Sequence, residues 1–326
     1  YKALASDPKT AYVGVKGLLE QALTKGESER ALKLANHGFT LKPEDPDLLD
    51  TLFDLQCEAK DWEGARRTLH AKTKIGVISK DVAERREAVL LIADASASAM
   101  AGDHDKAADL AGRAHKKSPN LTPATVAVAK AQIADGSARR AAKMLREAWR
   151  VDPHPDIAAA YALIEPEESP SARRRRFRDL FAANPDHAET KMLAAELALA
   201  DNDFIAARTE LGDLAESEPN ARALSLKAAI ERGEGAPDDV VRGLLAKAVS
   251  APRSPQWTCS SCGKRHADWA PRCERCEAFD TLQWKEGEPD AADAAAALSP
   301  VLTDPPAPPA AAEPETAQPK PAAAAE

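Results

Sequence analysis

The chain has few aromatic residues, 4 % of 326, and no uninterrupted apolar run approaching the 18 residues that argue for a membrane-spanning helix. Its most apolar stretch, Ala88 to Ala101, is broken by Asp94 and reads as a packed helix. Catalytic signatures are missing too: there is no Gly-rich phosphate loop, no H-E-x-x-H and no G-x-S-x-G. His37, His70, His104, His115, His154 and His187 are scattered without metal-ligand spacing. Direct catalysis is therefore not expected. A basic excess is also lacking, because the formal charge is -8. Residues 286–326 hold eight acidic side chains against the single Lys320, so -7 of that charge sits there and the rest is nearly neutral. Attraction of the whole chain to nucleic acid is not expected.

What is abundant is Ala, Leu, Glu, Arg and Lys, a composition that predicts an all-α body. The length leaves room for two or three domains, and the start at Tyr1 rather than Met reads as a fragment or processed form.

Four of the five cysteines, Cys259, Cys262, Cys273 and Cys276, form two C-x2-C pairs separated by ten residues. Two short knuckles at this spacing close on one tetrahedral metal, and Gly263 supplies a residue tolerant of positive φ after the first pair. Four sulfurs fill a zinc shell and leave no position for water or substrate, which makes the expected site structural. Two disulfides, or iron held as in rubredoxin, use the same residues and stay open as alternatives. His266, between the pairs, could replace a thiolate, but with four cysteines available it reads as a surface residue. Trp257, Trp269, Phe279 and Trp284 are interleaved with the knuckles as packing for a segment too small to bury much area unaided. Cys57 lies in a helical pattern and reads as a small buried hydrophobe.

The body is periodic. A small residue recurs at Ala31, Ala65, Ala107 and Ala141, with a later copy at Ala206; the first and third intervals are 34 residues. The second is longer by eight, which places an insertion near Ile75 to Asp81. Pro119, Pro153, Pro185 and Pro219 follow the same ruler at 34, 32 and 34 residues, each closing one helix and opening the next. This resembles the tetratricopeptide repeat and predicts five to seven helical hairpins between about residues 8 and 250, with a shortened unit from Pro155 to Ala183. Stacked into a solenoid, the first helices line a concave surface that in such proteins holds a peptide or protein segment.

The domain boundaries expected are 1–252 for the solenoid, 257–285 for the four-cysteine metal ribbon and 286–326 for a disordered acidic Ala/Pro-rich tail. Arg173, Arg174, Arg175, Arg176 and Arg178 form the one conspicuous basic run, read as a solvated face or as a contact for an acidic partner, an anionic membrane surface or the tail. Within Trp257–Lys285, Lys264, Arg265, Arg272, Arg275 and Lys285 stand against Asp268, Glu274, Glu277 and Asp280, five against four. That is too little for a nucleic-acid-binding ribbon, which stays the lesser alternative.

The opening DPKTAYVGVKGLLEQALTKGESERALKLANHGFTLKPEDP resembles the start of the repeat domain of HemY-type proteins. The ending QWTCSSCGKRHADWAPRCERCEAFDTLQWKEGEPD is similar to the metal-binding ribbon of their alphaproteobacterial members. The resemblance implies an adaptor held at the bacterial inner membrane by N-terminal helices absent from this chain. It also implies that this region lies on the cytoplasmic side, and that late haem-biosynthetic enzymes are its partners. Lipopolysaccharide-assembly proteins that join the same repeats to a rubredoxin-like ribbon are a second resemblance, implying a regulatory adaptor. Haem or porphyrin as a ligand stays unassigned, since no Cys-Pro dipeptide and no C-x-x-C-H occurs.

Overall fold

Helix starts and stops fall where capping chemistry puts them. The computed structural model describes residues 1–287, in which a five-residue helix α1 (Lys2–Ser6) precedes seven helix pairs. These are α2 (Ala11–Thr24) with α3 (Ser28–Leu41), α4 (Pro46–Glu58) with α5 (Trp62–Lys74), α6 (Lys80–Met100) with α7 (His104–Lys117), and α8 (Thr122–Ala134) with α9 (Ala138–Val151). There follow α10 (Pro155–Ala162) with α11 (Pro170–Phe181), α12 (Ala188–Ala200) with α13 (Phe204–Leu211), the one-turn α14 (Leu214–Ser217), and α15 (Ala221–Gly233) with α16 (Asp238–Ser250). Strands β1 (Arg253–Cys259), β2 (Arg265–His266) and β3 (Leu282–Gly287) form an antiparallel sheet in the order β2-β1-β3. The acidic tail expected from residue 286 lies, beyond Gly287, outside the described residues.

Asp45, Asp61, Asp103 and Asp203 cap α4, α5, α7 and α13 by accepting from the amides of Leu48, Gly64, Lys106 and Ala206. Each such cap is worth about 1 kcal/mol. The turn inside a pair is equally regular. One residue at positive φ follows the first helix at Gly26, Lys60, Gly102, Gly136, Asn202 and Gly235. The next amide then reaches back to the last helical turn, as Glu27 to Ala22 O at 2.9 Å and Asp61 to Gln56 O at 2.8 Å.

The small-residue register has a geometric definition. It is the residue whose amide bonds the carbonyl of the N-cap: Ala31 to Glu27, Ala65 to Asp61, Ala107 to Asp103, Ala141 to Ser137 and Ala207 to Asp203. Ala31, Ala65, Ala141 and Ala207 are fully buried and Ala107 is half-buried, so the last copy is Ala207, one residue beyond the Ala206 predicted. The capping Asp203 sets the register there, not the sequence interval.

The eight extra residues also differ from the prediction. They do not enlarge the loop around Ile75; they lengthen α6 to 21 residues against 13 in α4 and α8, adding two turns at its N-terminal end. The shortened unit is as expected, with α10 only eight residues long. Trp149 of α9 is fully buried there, its indole donating to Thr190 Oγ1 at 3.0 Å across to α12.

Among the six turn positions Lys60, at φ 57°, is neither Gly nor Asn. A left-handed conformation costs a side chain roughly 1 kcal/mol or more, so Lys60→Gly is expected to raise stability by about 1 kcal/mol and shift thermal unfolding upward. An unchanged or lowered midpoint would contradict this account of the turn.

Candidate metal centre and its seat on the helices

The two knuckles are built alike. In the first, the amide of Gly263 returns to Cys259 O at 2.9 Å, with Gly263 at φ 73°. In the second, the amide of Glu277 returns to Cys273 O at 2.9 Å, with Glu277 at φ 59°. Glu277 thus occupies a position where glycine is the easy residue. The sheet brings the knuckles face to face because β1 delivers Cys259 while β3 pairs alongside it, Cys259 opposite Leu282.

All four Sγ atoms lie within 4.8 Å of one another, with Cys259 to Cys276 at 3.7 Å and Cys262 to Cys273 at 3.6 Å. A tetrahedron of sulfurs about 2.3 Å from a zinc ion has edges of about 3.8 Å, so the donors fit that metal. Burial pushes the Cys259 thiol up, but Thr281 and the amides of Cys262 and Ser261 outweigh it and bring it down to about 6. For Cys262 the Lys264 amide acts to lower it, while burial and the three neighbouring thiols push it up to about 11. Ionised together, four thiolates this close would need a cation among them. When bound, a zinc ion would supply charge neutralisation and cross-linking, and no open coordination position.

His266 is not the surface residue expected. Its strand pairs with β1, His266 opposite Trp257, which buries the ring to 6 % exposure and sets Nε2 3.3 Å from Cys273 Sγ. A ring at this distance serves as a hydrogen-bond partner to a ligand sulfur, the outer-shell contact that orients and tunes metal ligands.

The aromatic residues divide between two cores, which also differs from their reading as packing for the ribbon alone. Trp257 and Leu282 pack with Cys259 and Cys273, and Trp284 borders them. Phe279 instead joins the solenoid core with Phe53, Cys57, Leu91 and Leu121, and Trp269 borders both cores. Cys57 is buried as expected.

The ribbon and the residue that leads into it are held on the first helices of four pairs. Phe279 meets Phe53 of α4 edge to face, with centroids 5.1 Å apart. Asp280 accepts from Arg85 at 3.1 Å to each carboxylate oxygen, and Arg85 stands on the two additional turns of α6. His154, the N-cap of α10 and fully buried, packs against Trp284 at 4.1 Å and Trp257 at 5.2 Å. Near α15, the Ala221 amide donates to Pro252 O at 2.9 Å. Of the histidines read as scattered, His154 therefore has a specific place, signalled in sequence only by its position between Pro153 and Pro155.

The basic run is largely committed within the chain. Arg173 and Arg176 hold Glu168, Arg176 also donates to Tyr161 O at 2.9 Å, and Arg174 pairs with Asp203 at 2.7 Å. Arg175 and Arg178 are exposed. A second set is invisible as a run: Arg139, Lys143, Arg146 and Arg150 recur along α9 at helical spacing, opposite the buried Ala141, Leu145 and Trp149.

Residues 98–164 match a family model described as tetratricopeptide repeat. The solenoid is a tetratricopeptide-repeat solenoid. Over 235 residues the chain is 26 % identical to the "Probable magnetosome protein Mms48" of Magnetospirillum gryphiswaldense, covering 71 % of this chain and 52 % of that protein. The chain thus spans about half the length of the curated relative it matches. Similar solved structures include a tetratricopeptide repeat protein from Parabacteroides merdae, 16 % identical at a TM-score of 0.34, covering 73 % of this chain and 98 % of that one. Another is Pseudomonas aeruginosa pilF, 15 % identical at 0.31, covering 65 % and 94 %.

Two outcomes follow from this geometry. Purified protein is expected to carry about one zinc per chain, and Cys259→Ser with Cys276→Ser is expected to release it and unfold the ribbon while the helical circular dichroism persists, because repeats are stabilised chiefly by their neighbours. Elemental analysis that finds iron in place of zinc reassigns the metal; finding neither in reduced protein removes the site.

The second outcome concerns pH. Burial holds the His154 imidazole below its ordinary value of 6.5, against the pull of Asp156 and Asp152. The seated state therefore binds this proton less readily than the unseated one. Seating is expected to be favoured above about pH 6.5 and to weaken as pH falls below it. Tryptophan fluorescence is expected to report the change on acidification, and His154→Asn, which keeps an N-cap acceptor, to flatten it. An identical titration in that variant would assign the change elsewhere.

Proposed function

We propose that the protein is a non-catalytic adaptor that holds other proteins together through its repeat solenoid, with a zinc-bound four-cysteine ribbon as a built-in part of the binding body. The observation that carries this reading is the closed set of four thiols seated on the first-helix face of a tetratricopeptide solenoid. A filled thiolate shell offers no position to a substrate, whereas repeat solenoids act by presenting extended surfaces to partners.

The finer assignment rests on the resemblance to HemY-type proteins. The adaptor works at the bacterial inner membrane, with this region on the cytoplasmic side, and its partners are late haem-biosynthetic enzymes. Among the described residues no helix is long and apolar enough to cross a membrane.

The test is affinity purification of the full-length protein from membranes of its native organism after mild cross-linking. Enrichment of late haem-biosynthetic enzymes is the expected result, and enrichment of lipopolysaccharide-assembly enzymes would move the protein to that second reading. Conversion of a porphyrin precursor by the purified protein alone would overturn the non-catalytic assignment.

A further inference from the structure

The contact between ribbon and solenoid has the form of a ligand in a receptor. The ribbon core, with Trp257, Cys259, Cys273 and Leu282, does not include Phe279. That ring is 9 % exposed, yet its burial comes from the solenoid core and its T-shaped contact with Phe53. The next residue, Asp280, turns its carboxylate onto Arg85 in a two-pronged pair. Two residues of this loop lie in the left-handed region, Glu277 at the turn of the knuckle at φ 59° and Asp280 of the pair itself at φ 54°.

The receptor side is equally distinct. Arg85 belongs to the two turns that lengthen α6 to 21 residues, where α4 and α8 have 13. Phe53 and Cys57 come from α4, and Leu121 precedes α8, so three consecutive repeats contribute to one apolar socket with a guanidinium at its rim. The socket opens on the first-helix face, the surface on which solenoids receive peptide segments.

We propose that Phe279-Asp280 is an internal ligand of this socket, and that a protein partner of the solenoid enters the same socket with an aromatic residue followed directly by a carboxylate, displacing the second knuckle. The proposal rests on the adaptor reading. It adds the recognition element and the competition with the ribbon. An attached ligand competes at an effective concentration in the millimolar range, so the native chain shields its own socket from weak partners.

The probe is a blocked, fluorescently labelled peptide Ala-Phe-Asp-Thr-Leu, corresponding to residues 278–282, titrated against the full chain by anisotropy. With the internal ligand removed by Phe279→Ala and Asp280→Asn together, the peptide is expected to bind at least about tenfold more tightly than to the native chain. Arg85→Glu in that background is expected to abolish the gain, as is replacement of the peptide's phenylalanine by alanine. Retained zinc and helical circular dichroism establish that the double variant is folded. Should it not fold, Asp280→Asn alone, which keeps the Phe279 packing, is expected to show the same direction of change.

Equal affinity for the native chain and the folded variants, or a gain that survives Arg85→Glu, overturns the proposal. Neither result touches the adaptor reading, since partners captured in the cross-linking experiment can occupy other faces. Conversely, tight peptide binding together with no partner captured at the membrane would keep the socket and remove the adaptor.

Discussion

No helical hairpin in this chain can bury its own apolar face, and neither can the ribbon; each piece completes its core with the next. In the solenoid this is achieved by a residue too small to hold the helices apart. Ala31, Ala65, Ala141 and Ala207 are fully buried at the fourth position of second helices, and the neighbouring hairpin closes over them. The ribbon obeys the same constraint by two routes. It gathers four sulfurs within 4.8 Å for a metal to tie, and it exports Phe279 into the core of the solenoid. Metal and docking are therefore linked, since the Cys273–Cys276 knuckle is the segment that leads into Phe279 and Asp280.

This linkage explains why one end of α6 departs from the repeat. Two additional turns in a solenoid hairpin bury little by themselves and lengthen the chain without closing another repeat. Here they bring Arg85 to Asp280 and Glu87 to Lys117, the latter at 2.7 Å, so the extension is fastened at both the ribbon and its own pair. Burial raises the Asp280 carboxyl and Arg85 opposes it. A desolvated carboxylate of this kind is weak evidence for stability and better evidence for specificity, because it accepts one partner geometry.

The sequence made the repeat period, the four-cysteine pattern and the helical class legible, because each follows from local rules: capping residues, a one-residue turn and the spacing of thiols. It misplaced Ala206 for Ala207 because an interval of residues cannot see which cap opens the helix. The extra eight residues went into a helix because their composition, KDVAERRE, continues α6 as readily as it would fill a loop. His266 and His154 were missed for a different reason. Their burial comes from strand pairing and from a ribbon folded back over helices more than a hundred residues earlier in the chain, and neither leaves a periodic trace.

The arginines make the same point about charge. Five basic residues within six positions look like a binding patch, yet Arg173, Arg174 and Arg176 are consumed in fastening the shortened unit, where α10 has only eight residues and a linker must be held by Glu168. On α9 the basic side chains are spread through the sequence and gathered by the helix onto one face. A local run therefore measures how much charge a segment carries, while spacing measures where it is presented. The same distinction separates Phe279 from the ribbon tryptophans. They are neighbours in sequence, but Phe279, between the left-handed Glu277 and Asp280, packs in the core of the first helices and not with Trp257 and Trp284.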